Sequence, residues 1–397
     1  MKRPLFHALS AFTLLPAAFA QPTPMVDPVT GRKIVWHRSD RHETHHYYDI
    51  QPWNKQGDKL AFFRFDAGVD KLTAAGRYPG SLWVMNADGT GRREVVGGLK
   101  GNYHVGVGQF WGPDGNSVYF TGGPERVTSV ISLATGARTD VNTPVAANRL
   151  SPDFQRISCV RGPEWGVYDV AAKKYTQLLT RERARAMSPN TAMLHGGASA
   201  LQNTRFSADG GKIVIVHRDT EEFPRMIEMF LHDFATGRSS YLAQDFHHPG
   251  WRPDGKAVMF VRRHLPDSLQ ALWEVDVETR KETRLTGEHV PAGHPSYHPR
   301  KQHLIVTDSY GGPMGFGLAL IDTRTKKMTQ LVTIPSGAKP VQPGDERFPF
   351  RNWGLWMPVR PYLNEPRPVW NHDGSKILFT SQESGRINLY EVDTSDL

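Results

Sequence analysis

The sequence predicts an all-β fold in which one small sheet is repeated around a common axis. Three observations predict it: a strand-turn-strand unit recurs along the chain, alternating apolar and polar residues follow each copy, and hardly any stretch has a helical period. Repeats of about 40–60 residues with four strands each are typical of β-propellers. The seven copies therefore predict a seven-bladed β-propeller.

Each copy consists of an aromatic or apolar residue, a turn of the Pro-Asp-Gly type and an apolar strand. Proline presets φ at the second turn position, aspartate bonds the local backbone, and glycine accepts the positive φ that closes a hairpin. The turns lie at residues 53–57, 111–115, 150–153, 206–210, 251–255, 297–299 and 370–374.

The seventh copy leaves room for only three strands before the chain ends at Leu397. A further turn signature at 27–31 is followed by a strand from Arg32 to Trp36 that has no blade of its own. We expect this N-terminal strand to close the last blade, which removes an exposed sheet edge. No linker or shift in composition supports two separate β-domains, so residues 21–397 are predicted to form one domain.

Residues 1–20 predict a cleavable signal peptide, with basic Lys2 and Arg3, an apolar stretch and the small-x-small sequence Ala-Phe-Ala at 18–20. The apolar run is shorter than the ~20 residues that a membrane span needs, and Pro16 interrupts it. We therefore expect a periplasmic or secreted protein. The single cysteine, Cys159, excludes an internal disulfide and a Cys-based metal site, and its apolar surroundings predict a buried thiol.

The formal net charge of +8 favours anionic partners. Predicted export argues against nucleic acid, and the chain has neither a dense Lys/Arg run nor an amphipathic helix that would predict membrane insertion. An acidic oligosaccharide is the partner class that matches best.

Polar side chains precede most of the repeat units, where the innermost strands should begin around one end of the central channel. Each histidine there has a structural alternative, a hydrogen bond to the backbone of the next blade. Together they would form a funnel suited to carboxylate recognition, metal binding or proton transfer. The candidates for substrate binding are His46, His104, Arg149, His195 and Arg367.

Two long insertions, at 180–200 and 333–363, are expected either to wall this funnel or to be solvated loops. The first contains three arginines. The second contains Trp353 and Trp356, whose indole faces would stack on sugar rings.

Four segments resemble the oligogalacturonate lyase family and the wider group of TolB-like propellers: residues 45–53 (His-His-Tyr-Tyr-Asp-Ile-Gln-Pro-Trp), 248–251, 293–295 and 373–381. That family cleaves oligomers of galacturonate by β-elimination, with manganese in the channel. The resemblance implies that His248 is the catalytic histidine, Arg225 the catalytic arginine and His294 a metal ligand.

The seventh repeat departs from the family pattern, because Tyr362, Glu365 and Arg367 replace a Gln and a His-Pro-His pair. Glu365 is able to ligate a hard metal, whereas Arg367 would repel it. Either an arginine replaces the divalent metal (Mn²⁺) as the neutraliser of the substrate carboxylate, or activity is lost and the propeller binds a protein or glycan partner. Because arginine is a poor base, we expect His248 to accept the proton and Arg225 or Arg367 to be its electrostatic partner.

Overall fold

The computed structural model describes residues 21–70, 72, 76–121, 127–141, 146–189, 204–218, 227–244, 247–262, 271–287, 293–310, 316–333, 365–382 and 384–397. Within these ranges the strands form seven antiparallel sheets arranged in a ring. The predicted seven-bladed β-propeller is therefore confirmed.

The first three blades are simple meanders in which each strand pairs with the next. Blade 1 contains β3 (Glu43–Thr44), β4 (Lys59–Phe65), β5 (Arg77–Asn86) and β6 (Arg93–Asn102). Blade 2 contains β7 (Phe110–Trp111), β8 (Ser117–Thr121), β9 (Thr128–Ser132) and β10 (Arg138–Val141). Blade 3 contains β11 (Ala146–Leu150), β12 (Arg156–Arg161), β13 (Glu164–Asp169) and β14 (Lys174–Thr180).

Blades 4 to 6 repeat this arrangement. Blade 4 contains β15 (Arg205–Phe206), β16 (Lys212–Arg218), β17 (Ile227–Asp233) and β18 (Arg238–Gln244). Blade 5 contains β19 (His247–Trp251), β20 (Ala257–Arg262), β21 (Ala271–Asp276) and β22 (Glu282–Arg284). Blade 6 contains β23 (Ser296–Tyr297), β24 (Leu304–Tyr310), β25 (Phe316–Asp322) and β26 (Lys327–Thr333).

Blade 7 joins the two ends of the described chain. Its strands β27 (Val369–Trp370), β28 (Lys376–Ser381) and β29 (Asn388–Asp393) are completed by β2 (Lys33–His37), which pairs with β29. The predicted closing strand is thus present. An outer strand that the sequence did not predict, β1 (Thr23–Val26), pairs with β2 and makes this sheet five-stranded.

The repeated turns follow the predicted chemistry. In five of them a glycine takes a φ between 67° and 80°, and in blade 2 Asp114 Oδ1 accepts hydrogen bonds from the backbone N–H groups of Asn116 and Ser117. Blade 3 differs, because Phe154 occupies the corresponding position with a φ of 60°. A bulky residue rarely adopts this conformation.

The tryptophans of the repeat connect neighbouring blades. The indole N–H of Trp111 donates to the Pro52 carbonyl at 2.7 Å, and Trp251 donates to the Arg205 carbonyl at 3.1 Å. Trp370 bonds the preceding blade in the same way. Apolar clusters fill the spaces between adjacent blades, so each sheet is held on both of its faces.

The short helix α1 (Arg181–Met187) begins at the capping residue Thr180, whose side chain accepts from the N–H of Arg183. It packs on β14 and β18, the outermost strands of their blades, so the arginines of this segment lie at the rim and do not wall the channel. Within the described ranges no helix has the length and the apolar character needed to cross a membrane. Cys159 is buried, and burial raises the pKa of its thiol to about 12.

Candidate functional site

A segment of blade 1, residues 45–51, leaves the innermost strand and crosses the central channel; we call it the central segment. Thr44 pairs with Phe63 and Trp53 pairs with Leu60, so the eight residues between them on this strand oppose only two residues of its partner. The unpaired residues of the central segment reach the inner strands of other blades. For example, Tyr48 Oη donates to the Pro249 carbonyl of blade 5 at 3.2 Å. The motif that carried the resemblance therefore fills the channel with polar side chains.

Tyr47 of the central segment joins two histidines from blades 5 and 6. Its hydroxyl lies 3.0 Å from Nε2 of His248 and 3.0 Å from Nε2 of His294. The other nitrogen of His248, Nδ1, lies 2.6 Å from the Gly293 carbonyl, and Nδ1 of His294 lies 2.8 Å from Asp308 Oδ2. These groups form one continuous row, Asp308–His294–Tyr47–His248–Gly293.

The end groups of this row determine where its protons lie. A carbonyl and a carboxylate only accept, so both Nδ1 atoms carry hydrogens. If both imidazoles are neutral, the single hydroxyl hydrogen of Tyr47 serves two acceptors. When His294 carries a hydrogen on Nε2 as well, it donates to the Tyr47 oxygen and the Tyr47 hydroxyl donates to His248 Nε2, so each of these contacts has one donor and one acceptor. In this arrangement His248 Nε2 carries the lone pair that accepts from Tyr47.

The backbone at His248 is unusual. Its φ is 52°, and the pairing of β19 with β20 shifts register between His247 and Gly250. A bulge of this kind re-aims a side chain, and a non-glycine residue in this region costs about 1–3 kcal/mol. Arg367, at the equivalent entry of blade 7, has a φ of 49°. Residues with positive φ also occur in hairpin turns, at Lys173, Arg280 and Lys326, but His248 and Arg367 adopt this conformation at the strand entries that face the channel.

Arg367 and Glu365 form the neighbouring part of the site. Arg367 is fully buried; its Nη2 donates to Thr44 Oγ1 at 2.7 Å and its Nη1 donates to the His104 carbonyl. The Glu365 carboxylate lies 2.8 Å from Nε2 of His104. The backbone N–H of Arg367 donates to Asp308 Oδ2 at 3.0 Å, which connects this group to the histidine row.

Burial controls protonation in the central segment. Loss of solvent is the largest influence on His45 and His46 and holds the pKa of each well below 6.5, and nearby positive charges act in the same direction. Both imidazoles are therefore neutral at pH 7. Burial raises the pKa of Tyr47 above that of free tyrosine, so its hydroxyl stays protonated and is able to donate.

A cavity of about 780 Å³ adjoins the central segment on the side of blades 1 to 4. His46 and Asp49 line it together with Arg149 and Arg205. Asp49 Oδ2 lies 2.8 Å from Arg205 Nε, and Asp49 Oδ1 lies 3.6 Å from an Nη atom of Arg149.

The structure thus distributes the predicted site residues over three places. His248 and His294 meet at Tyr47; Glu365, Arg367 and His104 contact one another; His46 and Arg149 line the cavity. The remaining candidates lie outside the described residues: Arg225, His195, Trp353 and Trp356.

Three important residues were not assigned a role from the sequence: Tyr47, Asp308 and Arg205. For Tyr47 the sequence did contain a clue. Eight residues separate Thr44 from Trp53, too many to pair with the two residues between Leu60 and Phe63, so part of this segment had to leave the sheet. Asp308 lies within β24 and had no local signal.

The predicted metal ligands His294 and Glu365 have other partners. Both ring nitrogens of His294 are in contact with Asp308 and Tyr47, and Glu365 faces His104. In the described part of the chain, no three His, Cys, Asp or Glu side chains are placed so that they would hold a metal ion. These residues do not fit the manganese site that the resemblance implies.

No family model matches the sequence, and no curated protein matches it. Among solved structures, an oligogalacturonate lyase in complex with manganese is similar, with a TM-score of 0.68 and 17% identity over 94% of this chain and 96% of that chain. The oligogalacturonate lyase of Vibrio parahaemolyticus has the same TM-score and coverage at 14% identity. A puromycin-hydrolysing peptidase of Mycobacterium tuberculosis reaches 0.55 at 13% identity, over 85% of this chain and 52% of that chain. Identities this low show the fold alone, so the resemblance is confirmed at that level: this chain is a seven-bladed β-propeller whose fold is similar to that of oligogalacturonate lyases along nearly its whole length.

Proposed function

We propose that this protein is an exported lyase that cleaves a uronate-containing oligo- or polysaccharide by β-elimination in the channel. The observation that carries the proposal is the row Asp308–His294–Tyr47–His248–Gly293, which fixes both Nδ1 protons and leaves a lone pair on His248 Nε2. A base with an orienting partner is what proton abstraction beside a carboxylate requires.

In the proposed reaction, His248 Nε2 takes the C5 proton of the uronate. The electron pair of the C5–H bond forms the C4–C5 double bond, the C4–O bond breaks, and the leaving oxygen takes a proton. Substrate replaces the Tyr47 hydroxyl at Nε2, which places this protonated phenol beside the reacting atoms. Tyr47 is therefore the proposed donor to the leaving oxygen, and His294 is the group that resupplies its proton.

The negative charge that develops at C5 and on the carboxylate needs a cation or hydrogen-bond donors. Arg225 remains the predicted partner from the family resemblance. Arg367 is fully buried and bonded to Thr44 and to the backbone of His104, so we assign it a positioning role for the entry of blade 7. The described residues place no three metal ligands together, so the proposed reaction assigns no role to a metal.

The proposed substrate class follows from charge and from the fold. The net charge of +8 favours an acidic sugar, and the structures with a TM-score of 0.68 are lyases named for oligogalacturonate. Export through residues 1–20 to the periplasm or beyond belongs to the same proposal, since it would bring the enzyme to such polymers.

The test is the ultraviolet absorbance of the unsaturated uronate, followed while the mature protein is incubated with a panel of uronate polymers and oligomers. Parallel reactions contain EDTA or added manganese. Activity that survives EDTA is expected, because Arg367 stands where the family resemblance implies a ligand. A folded protein that is inactive on every member of the panel, with and without manganese, would contradict the lyase.

A non-catalytic propeller that binds a glycan or protein is the second candidate. Two observations favour it: Tyr47 occupies Nε2 of His248, and the predicted metal ligands are engaged elsewhere. A protein of this kind would bind acidic oligosaccharides without producing unsaturated products, and its affinity would be the same in the His248→Ala variant.

Replacing Tyr47 by phenylalanine is expected to lower the turnover number by about tenfold or more, because the proposed proton donor is lost. The adjacent variant Tyr48→Phe is the matched control, since the Tyr48 hydroxyl bonds the Pro249 carbonyl and Arg205 rather than the two histidines. Initial rates and the Michaelis constant are measured for both. Equal turnover by the two variants would remove Tyr47 from the mechanism.

A further inference from the structure

We infer that the cavity beside the central segment is a second binding site, specific for a ring-bearing organic carboxylate. Its volume of about 780 Å³ lies in the range of small-molecule sites. The lining comes mainly from the inner strands and turns of blades 1 to 4, with His372 of blade 7, and does not include Tyr47, His248 or His294, so the site is separate from the proposed catalytic row.

The charge of the lining selects an anion. The cavity is lined by four cationic side chains, from Lys55, Arg77, Arg149 and Arg205, and among its lining residues Asp49 supplies the one carboxylate. Asp49 is closest to Arg205, at 2.8 Å, whereas its separation from Arg149 is 3.6 Å. One carboxylate therefore balances the charge of only one of these two arginines, and a second carboxylate, from a ligand, would balance the other.

Arg149 is the cation whose contacts indicate that a ligand binds here. Its Nε is buried and has no hydrogen-bond partner within the described ranges. Burial lowers the pKa of this guanidinium, while Asp49 acts in the opposite direction. A buried Nε–H that is left unsatisfied is costly, and a planar carboxylate is the group whose geometry matches the guanidinium fork.

The ring specificity rests on Phe154. Five other turns of the repeat have glycine at this left-handed position, yet blade 3 retains a phenylalanine with a φ of 60°. Its ring lies 5.9 Å from that of Phe110 and 5.1 Å from that of Tyr119, and both phenylalanines line the cavity. These two rings offer aromatic faces beside the charged groups, and aromatic faces pack on sugar or aromatic rings.

The inference is tested by isothermal titration calorimetry of the mature protein. Galacturonate and digalacturonate are titrated in one arm, benzoate and phenylacetate in the second, and inorganic phosphate in the third. Binding of the first or second set identifies the ring as a sugar or an aromatic ring. We expect phosphate to bind more weakly than the preferred ring carboxylate.

Arg149→Gln is expected to weaken binding by about tenfold or more, since a charge-assisted contact is lost. The surface variant Arg324→Gln is the matched control and should bind normally, because Arg324 is exposed on blade 6. Phe154→Asn, which the left-handed backbone accepts, should weaken binding by about three- to tenfold without lowering Tm.

No heat with either set of carboxylates, or equal affinity for phosphate with no effect of Phe154→Asn, would overturn the inference. The His248→Ala variant separates a failure of this inference from a failure of the lyase proposal. It should lose lyase activity but bind the cavity ligand with the same affinity as the parent protein. Loss of cavity binding in His248→Ala would mean that the ligand occupies the catalytic row instead.

Discussion

Replacing His248 by glutamine is expected to reduce the turnover number for uronate β-elimination by about 100- to 10,000-fold, the usual contribution of general acid–base catalysis. Glutamine keeps polar contacts with Tyr47 and the Gly293 carbonyl but has no lone-pair nitrogen of suitable basicity. The measurement is the initial rate of unsaturated product at saturating substrate. It is made together with circular dichroism to verify the fold.

His247→Gln is the matched control for this variant. The His247 ring lies 3.6 Å from the His248 ring, so the same substitution one residue away tests whether any change in this strand is harmful. We expect His247→Gln to retain most of the activity. Similar rates for His248→Gln and the parent protein would show that another group is the base.

Lowering the pH from 6.5 to 5 is expected to decrease the free energy of unfolding by about 3 kcal/mol through His45 and His46 alone. Burial holds the pKa of both well below 6.5 in the folded state. The unfolded chain therefore binds more protons below this pH, and stability falls as pH falls. Urea unfolding at a series of pH values between 5 and 8 measures the effect.

The variant His45→Gln isolates one half of this effect. A glutamine at this buried position does not titrate, so the loss between pH 6.5 and 5 should be about half as large as in the parent protein. A free energy of unfolding that is the same at pH 5 and pH 6.5 would show that both imidazoles are already charged, or exposed, in the folded state.

The repeat could be predicted from the sequence because its turn depends only on residues that are adjacent in the chain. The Pro-Asp-Gly pattern fixes φ and the backbone hydrogen bonds within five residues, and the structure reproduces it even at blade 3, where Phe154 replaces the glycine. Strand β1 was missed, because no apolar alternation distinguishes the half-exposed run Thr23–Val26.

The site was only partly predictable, because its residues depend on non-local contacts. His248 and His294 each precede a repeat unit, so position alone placed them near the axis. Asp308 belongs to the second strand of blade 6 and reaches His294 through strand pairing that no local pattern encodes. The sequence also suggested that Glu365 is a metal ligand, whereas the fold places its carboxylate against His104.

The strand that closes blade 7 has a consequence for the order of folding. Six blades are built from neighbouring segments, but β2 pairs with β29 through His37 and Leu389, at opposite ends of the chain. Contacts of such long sequence separation form late, because the entropy of closing the loop opposes them until the intervening segments are compact. During synthesis β2 is made first and lacks its partner until β29 follows it, so the ring remains open until that last strand is available. The last cooperative step should be closure, and it is the step at which Trp36 stacks on Tyr390, so the fluorescence of this one indole is expected to report it.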